Sequence, residues 1–148
     1  MLTNNFNACI KGLLSHSDFV MKSTYNTDWN ISYSSGTQYF NPLYADSYKR
    51  AMFGSGTTQP TYNDKNVESS VSLSNITIQK TDVTESGRRG IILTITGKNT
   101  TGSDITISEF AYGVEYSSTK AIYAREVITP VTVPNNSTIT ITYKIMLE

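Results

Sequence analysis

The chain has 148 residues, twelve basic and twelve acidic side chains, and a charged fraction of only 16%. One domain of this size can bury a core without disulfides or metals, and the single cysteine excludes an internal disulfide. Balanced charge without like-charged runs argues against nucleic acid as a partner. We therefore expect a single domain rich in Ser, Thr, Asn and Tyr, without cofactors.

The first element is predicted to be a short amphipathic helix within an N-terminal arm, residues 1–18. Phe6, Cys9, Ile10, Leu13 and Leu14 follow the spacing of one helical stripe, and Thr3 or Asn4 is a candidate N-cap. So short a helix is marginal in isolation, so we expect its stripe to dock either on its own chain or on a neighbouring subunit.

Residues 19–66 are predicted to be an irregular segment followed by a turn-rich connector. Whether the stretch 42–53 is a short helix or a strand stays open. This region holds the main aromatic cluster, and aromatic side chains in irregular segments are typical of interfaces. Together with two helix residues they form the predicted interface set: Phe6, Ile10, Trp29, Tyr33, Tyr39, Phe40 and Tyr44.

Residues 67–148 are predicted to form an antiparallel β-sandwich, Ig-like or jelly-roll-like, because short strands alternate with turn signals. The apolar parity switches between Leu73 and Ile76, which predicts a bulge or a break near Asn75, and it switches again between Ile107 and Phe110. The sequence TESGRRG predicts a hairpin turn. In the last strand the apolar residues alternate with polar ones and are expected to face the interior: Ile139, Ile141, Tyr143, Ile145 and Leu147.

No catalytic or metal-binding constellation is apparent. Cys9 lies on the apolar helical stripe, where a free cysteine behaves as a small hydrophobe, and His16 has no second histidine as a co-ligand. Oxygen ligands cluster at Asn63, Asp64, Asn66 and Glu68, but their spacing is not that of an EF-hand. We therefore expect a protein that is not an enzyme.

Two segments resemble a known class of proteins. Residues 54–64 read GSGTT-x-PT-x-x-D, and residues 122–134 contain AR-x-V-I-x-PVTV-P, followed by a TITY strand. This order is similar to small virion structural proteins of tailed bacteriophages. The resemblance implies a β-sandwich that is a non-enzymatic, multi-copy part of the particle, in head decoration, neck, collar or tail.

The implied partners are copies of the chain and other virion proteins, such as capsid, portal or tail components. The start of the chain lacks the apolar core of a signal peptide, and no window reaches the length of a membrane span. We therefore expect synthesis in the host cytoplasm and a final location in the virion, without nucleic-acid or membrane partners. The alternative is a carbohydrate- or receptor-binding β-sandwich module.

Overall fold

The computed structural model describes residues 1–33 and 49–146. It is mostly β-structure with one short N-terminal helix, which confirms the predicted all-β class. The elements in chain order are α1 (Asn4–Ser15), β1 (Phe19–Lys22), β2 (Asp28–Ile31), β3 (Lys49–Gly54), β4 (Ser70–Val71), β5 (Ser74–Glu85), β6 (Arg88–Lys98), β7 (Ile105–Tyr116), β8 (Thr119–Val133) and β9 (Thr138–Met146).

Two antiparallel sheets pack face to face. The first has the strand order β4-β3-β7-β8 and the second β5-β6-β9, while β1 and β2 form a separate two-stranded ribbon. Phe53 and Phe110 of the first sheet share one buried cluster with Leu93 and Ile95 of the second. This shared core is what makes the fold a sandwich.

The sandwich begins earlier in the chain than the predicted boundary at residue 67. Strand β3 lies between β4 and β7 and pairs with β7 from Lys49 to Gly54. Ala51 and Phe53 point to the core, but the preceding Lys49 and Arg50 hide this alternation in the sequence. Of the stretch 42–53, the described part, residues 49–53, is therefore strand.

The alternation of β9 is confirmed. Ile139 and Ile145 are buried, Ile141 and Tyr143 are half-buried, and the intervening threonines are exposed. Leu147, the fifth residue of the predicted set, lies outside the described residues.

The predicted local breaks are also confirmed. Asn75 has a φ of 49°, and the β5–β6 register shifts between Ser74 and Thr77. The β7–β8 register shifts between Ile107 and Glu109. Gly87 of TESGRRG has a φ of 79° in the turn that joins β5 to β6, a conformation that glycine adopts without strain.

Helix α1 docks on its own chain, the first of the two alternatives, and contacts β1 and β8. Its buried face is Asn5, Phe6, Cys9 and Gly12, whereas Leu14 is 78% exposed. The predicted stripe was therefore wrong at Leu14: the buried face is rotated by roughly 60° toward Cys9. The rotation follows from Gly12, because a Cβ at this position would overlap the ring of Phe19. Helix α1 can therefore approach β1 closely only through the face that carries Gly12.

The N-terminal segment also extends the first sheet. Leu2 forms a bridge with Ala124, and the Thr3 amide donates to the Tyr123 carbonyl at 2.8 Å. The Thr3 hydroxyl donates to Ile122 O rather than capping the helix. Within residues 1–33 and 49–146, no helix is long and apolar enough to cross a membrane.

Candidate functional site

A buried ionic cluster lies where the connector, residues 55–69, crosses the first sheet. Arg125 on β8 has a side chain that is 2% exposed, and Glu109 on β7 is fully buried. The Arg125 Nε and Nη2 atoms each lie 2.8 Å from Glu109 Oε2. The other nitrogen, Nη1, donates to Asp64 Oδ2 at 2.8 Å, and Nη2 also donates to the Thr58 carbonyl at 3.1 Å.

The second oxygen of Glu109 binds the connector backbone. Glu109 Oε1 accepts hydrogen bonds from the amides of Gly56 at 2.9 Å, Glu68 at 2.8 Å and Ser69 at 3.1 Å. A Cβ at Gly54 or Gly56 would collide with this oxygen, so both glycines are needed for the close approach. One carboxylate thus fixes both ends of a connector that contains no helix or strand.

The outer carboxylates of the cluster are held in the ionised form. Partial burial alone would raise the pKa of Asp64, but hydrogen bonds from Arg125 and Thr61 outweigh it and leave that pKa below its ordinary value. A hydrogen bond from Thr58 lowers the pKa of Glu68, whose carboxylate lies 3.6 Å from Arg125. For Arg125, burial acts against the charge, but the bonds to Asp64 and Glu109 raise its pKa.

The ionic cluster is suited to fixing the connector on the sheet. Glu109 receives five hydrogen-bonding contacts from the guanidinium and the backbone, so neither of its oxygens is directed at an open space. No group of three or more potential metal ligands occurs within the described parts of the chain. Of the oxygen ligands considered from sequence, Asp64 and Glu68 both face Arg125 instead.

Sequence reasoning missed this cluster because its members are far apart in the chain. Arg125 and Glu109 lie on neighbouring strands, but the register shift between Ile107 and Glu109 decides which side chains meet. The sequence feature that pointed to these residues was the pair of motifs. Thr58 and Asp64 belong to GSGTT-x-PT-x-x-D, and Arg125 belongs to AR-x-V-I.

The predicted interface residues lie in different environments. Phe6 is 5% exposed and belongs to the chain's own core, so it has little surface to offer a neighbour. Ile10 and Trp29 are partly buried against that core. Tyr33 is partly exposed and makes an edge-to-face contact with His16 at 5.0 Å. Tyr39, Phe40 and Tyr44 lie outside the described residues.

Cys9 and His16 occupy packing and capping positions. Cys9 is fully buried, and burial raises the pKa of its thiol to about 12, which suppresses the nucleophilic thiolate. His16 ends α1 in the left-handed conformation with a φ of 52°.

A polar groove of about 220 Å³ opens beside the ionic cluster. Its lining is Asn4, Asn5, Lys22, Tyr62, Asn63, Asp64 and Lys65. Tyr62 is 60% exposed at its rim, and Lys65 Nζ donates to Asn26 Oδ1 at 2.6 Å. Because Asn26 follows the 78% exposed Tyr25, this bond links the loops that carry two exposed tyrosines.

Comparison of the chain with protein-family models, curated proteins and solved structures gives no match.

Proposed function

We propose that this chain is a non-enzymatic, multi-copy structural subunit of a tailed-bacteriophage virion, made in the host cytoplasm and acting through protein–protein contacts in head decoration or in the neck or tail. The resemblance of residues 54–64 and 122–134 suggests the class. The observation that carries the proposal is that these two segments meet in the Arg125–Glu109 cluster. The residues that carry the resemblance therefore contact one another directly: Arg125 of the second segment binds Thr58 and Asp64 of the first.

The cluster gives the subunit a rigid surface loop. Irregular loops longer than about 12–15 residues are uncommon in compact domains, and they are usually functional or disordered. Here three amide hydrogen bonds to Glu109 and the bonds from Arg125 to Asp64 and to the Thr58 carbonyl hold residues 55–69 against the sheet. A fixed loop loses little conformational entropy on binding, which favours its use in assembly.

The outward face of the second sheet supports the same proposal. Two rows of directly paired residues cross its three strands without a charge: Thr77, Thr96 and Thr140, then Gln79, Thr94 and Thr142. Charged residues are depleted at the centres of protein interfaces. This face therefore suits contact with another protein better than contact with bulk solvent.

Quantitative mass spectrometry of purified particles tests the proposal. Particles of the phage that carries this sequence should contain the chain at a fixed stoichiometry of several copies, retained through a salt wash and density-gradient banding. Peptides of the major capsid protein provide the internal standard. Absence of the chain from banded particles, with its presence in the infected-cell lysate, would contradict the proposal.

The polar groove favours one alternative, a carbohydrate-binding module. Asn4 Nδ2 donates to Asn63 Oδ1 at 2.9 Å, so each side-chain amide keeps its other polar atom for a ligand. The exposed Tyr62 ring beside them provides a surface on which a sugar ring can stack. Under this alternative Tyr62→Ala abolishes binding in a glycan array, whereas Tyr116→Ala, at a tyrosine that does not line the groove, leaves it intact. No glycan signal for the unmodified protein would exclude the alternative.

A further inference from the structure

Most edges of the two sheets carry a feature that prevents pairing with another chain. Unpaired edge strands attract other strands, so proteins shorten them, cover them, bend them or place charges on them. In the first sheet β4 has only two residues. The outer edge of β8 is covered by Leu2 and Thr3, and farther along the strand Pro130 lies between the paired residues Val127 and Val131.

Strand β5, one edge of the second sheet, is protected in another way. The irregularity at Asn75 breaks its register. Lys80 and Asp82 occupy positions paired with the core-facing Leu93 and Ile91, so this edge carries two charged side chains, ion-paired with each other, on the inner side of the strand. Inward-pointing charges on an edge strand disfavour the addition of a further strand.

Strand β9, the opposite edge of that sheet, has only one such feature between Thr138 and Met146, a single charge at Lys144. Its nine residues pair with β6 in one unbroken register, without proline, glycine or bulge. Lys144 lies on the outward face and forms an ion pair with Glu85 on β5. Among residues 1–33 and 49–146, no strand pairs with the far edge of β9.

The core is also less closed along β9 than along its neighbour. Leu93 and Ile95 on β6 are fully buried, whereas Ile141 and Tyr143, paired with Ile95 and Leu93, are only half-buried. Another strand on this edge would cover the remaining apolar surface of both side chains.

We propose that β9 pairs with β9 of a second copy of this chain, antiparallel about a two-fold axis, to give a continuous six-stranded sheet. The strand is self-complementary in the register centred on Thr142. That register places Ile139 opposite Ile145 and Ile141 opposite Tyr143, so inner residues meet inner residues.

The outer face is compatible with the same register. Lys144 lies opposite Thr140, so no like charges face each other across the two-fold axis. Threonine opposite threonine, as at Thr142, is a favourable cross-strand pair. The partner is thus a second copy of this chain rather than a charged peptide or nucleic acid. This inference deepens the proposed function by naming the partner of one surface of the subunit, yet its test needs no virion.

Charge substitution at the centre of the pair provides the first test. The unmodified protein should be dimeric by light scattering at high micromolar concentration. Thr142→Lys and Thr142→Asp should each raise the dimer dissociation constant at least about tenfold, because like charges then face each other. Mixing the two variants should restore the dimer. Thr81→Lys, at an exposed outward position on β5, is the matched control and should leave dimerisation unchanged.

Disulfide trapping provides the second test and does not depend on weakening the dimer. Thr142→Cys should form an intermolecular disulfide under mild oxidation at least about tenfold faster than Thr81→Cys, since directly opposite residues satisfy disulfide geometry. The native Cys9 is fully buried and does not compete.

A monomeric unmodified protein at high micromolar concentration, or equal trapping rates for the two cysteine variants, would overturn the inference. Either result would leave the proposed function standing if the chain is present in particles. Conversely, a β9-paired dimer that is absent from particles would overturn the proposed function alone.

Discussion

Besides Glu109, Arg125 is the side chain that holds the connector against the first sheet. It is 2% exposed, and its partners are Glu109, Asp64, Glu68 and the Thr58 carbonyl. A buried ion pair is not by itself evidence of high stability, because desolvation offsets much of the attraction. Removing one partner, however, leaves the other charge buried and uncompensated.

Arg125→Ala is therefore expected to lower the free energy of unfolding by about 3–5 kcal/mol, because Glu109 would remain buried without its guanidinium. The control is Arg50→Ala, which removes a partly exposed pair with Glu115 and a bond to the Lys49 carbonyl, and it should cost less than about 1 kcal/mol. Denaturant unfolding of both variants measures the difference. Equal losses would show that the buried cluster does not stabilise the connector.

The same cluster predicts a loss of stability in acid. The folded-state pKa values of Asp64 and Glu68 lie below their ordinary values of 3.8 and 4.5. Their stabilisation is therefore fully present above about pH 4.5 and is lost as the pH falls through the lowered folded values. The urea concentration at the unfolding midpoint should decrease as the pH is lowered from about 4.5 to 3. The decrease should be smaller for Asp64→Asn than for the unmodified protein. Parallel profiles for the two proteins would contradict the assignment.

At the scale of single elements, local patterns predicted much of the fold. The alternation of β9, the irregularity at Asn75 and the Gly87 turn follow from side-chain period and backbone conformation alone. The choice between helix and strand at β3 stayed open because charged residues begin the strand, and the rotation of α1 was missed because it depends on the contact between Gly12 and Phe19. The Arg125–Glu109 pair depends on strand register, which a single sequence does not reveal.

Helix α1 offers a test of that rotation. Gly12→Ala should destabilise the protein by about 1–3 kcal/mol, because the new methyl group overlaps Phe19, although alanine is the better helix former by about 1 kcal/mol. Ser15→Ala, in the exposed last turn, is the control and should be nearly neutral. Denaturant midpoints compare the two variants, and a stabilised Gly12→Ala protein would show that the helix does not approach β1 this closely.

Denaturant unfolding should also distinguish the buried face of strand β9 from its exposed face. Ile145, 3% exposed, faces the core, and Ile145→Ala should cost about 2–5 kcal/mol as a cavity substitution. Thr142→Ala, on the exposed face, should change stability by less than about 0.5 kcal/mol when compared under monomeric conditions. Comparable losses at the two positions would indicate that the strand does not have one buried and one exposed face.

At the scale of the whole molecule, the sandwich combines a balanced formal charge, a connector held by hydrogen bonds and ion pairs, and two uncharged rows on the outer face of its second sheet. A net charge near zero provides little electrostatic repulsion between copies, which favours association. These properties are those expected of a building block that meets other subunits over several surfaces. They agree with the class suggested by the two resembling segments.

A cryo-EM map of the intact particle tests that account most directly. Several copies of the sandwich are expected in the head decoration, neck or tail, recognised by the two sheets and by the connector that joins β3 to β4 and contacts Glu109 on β7 and Arg125 on β8. A complete map of a particle whose genome encodes this chain, with every region of density built by other chains, would contradict the proposal.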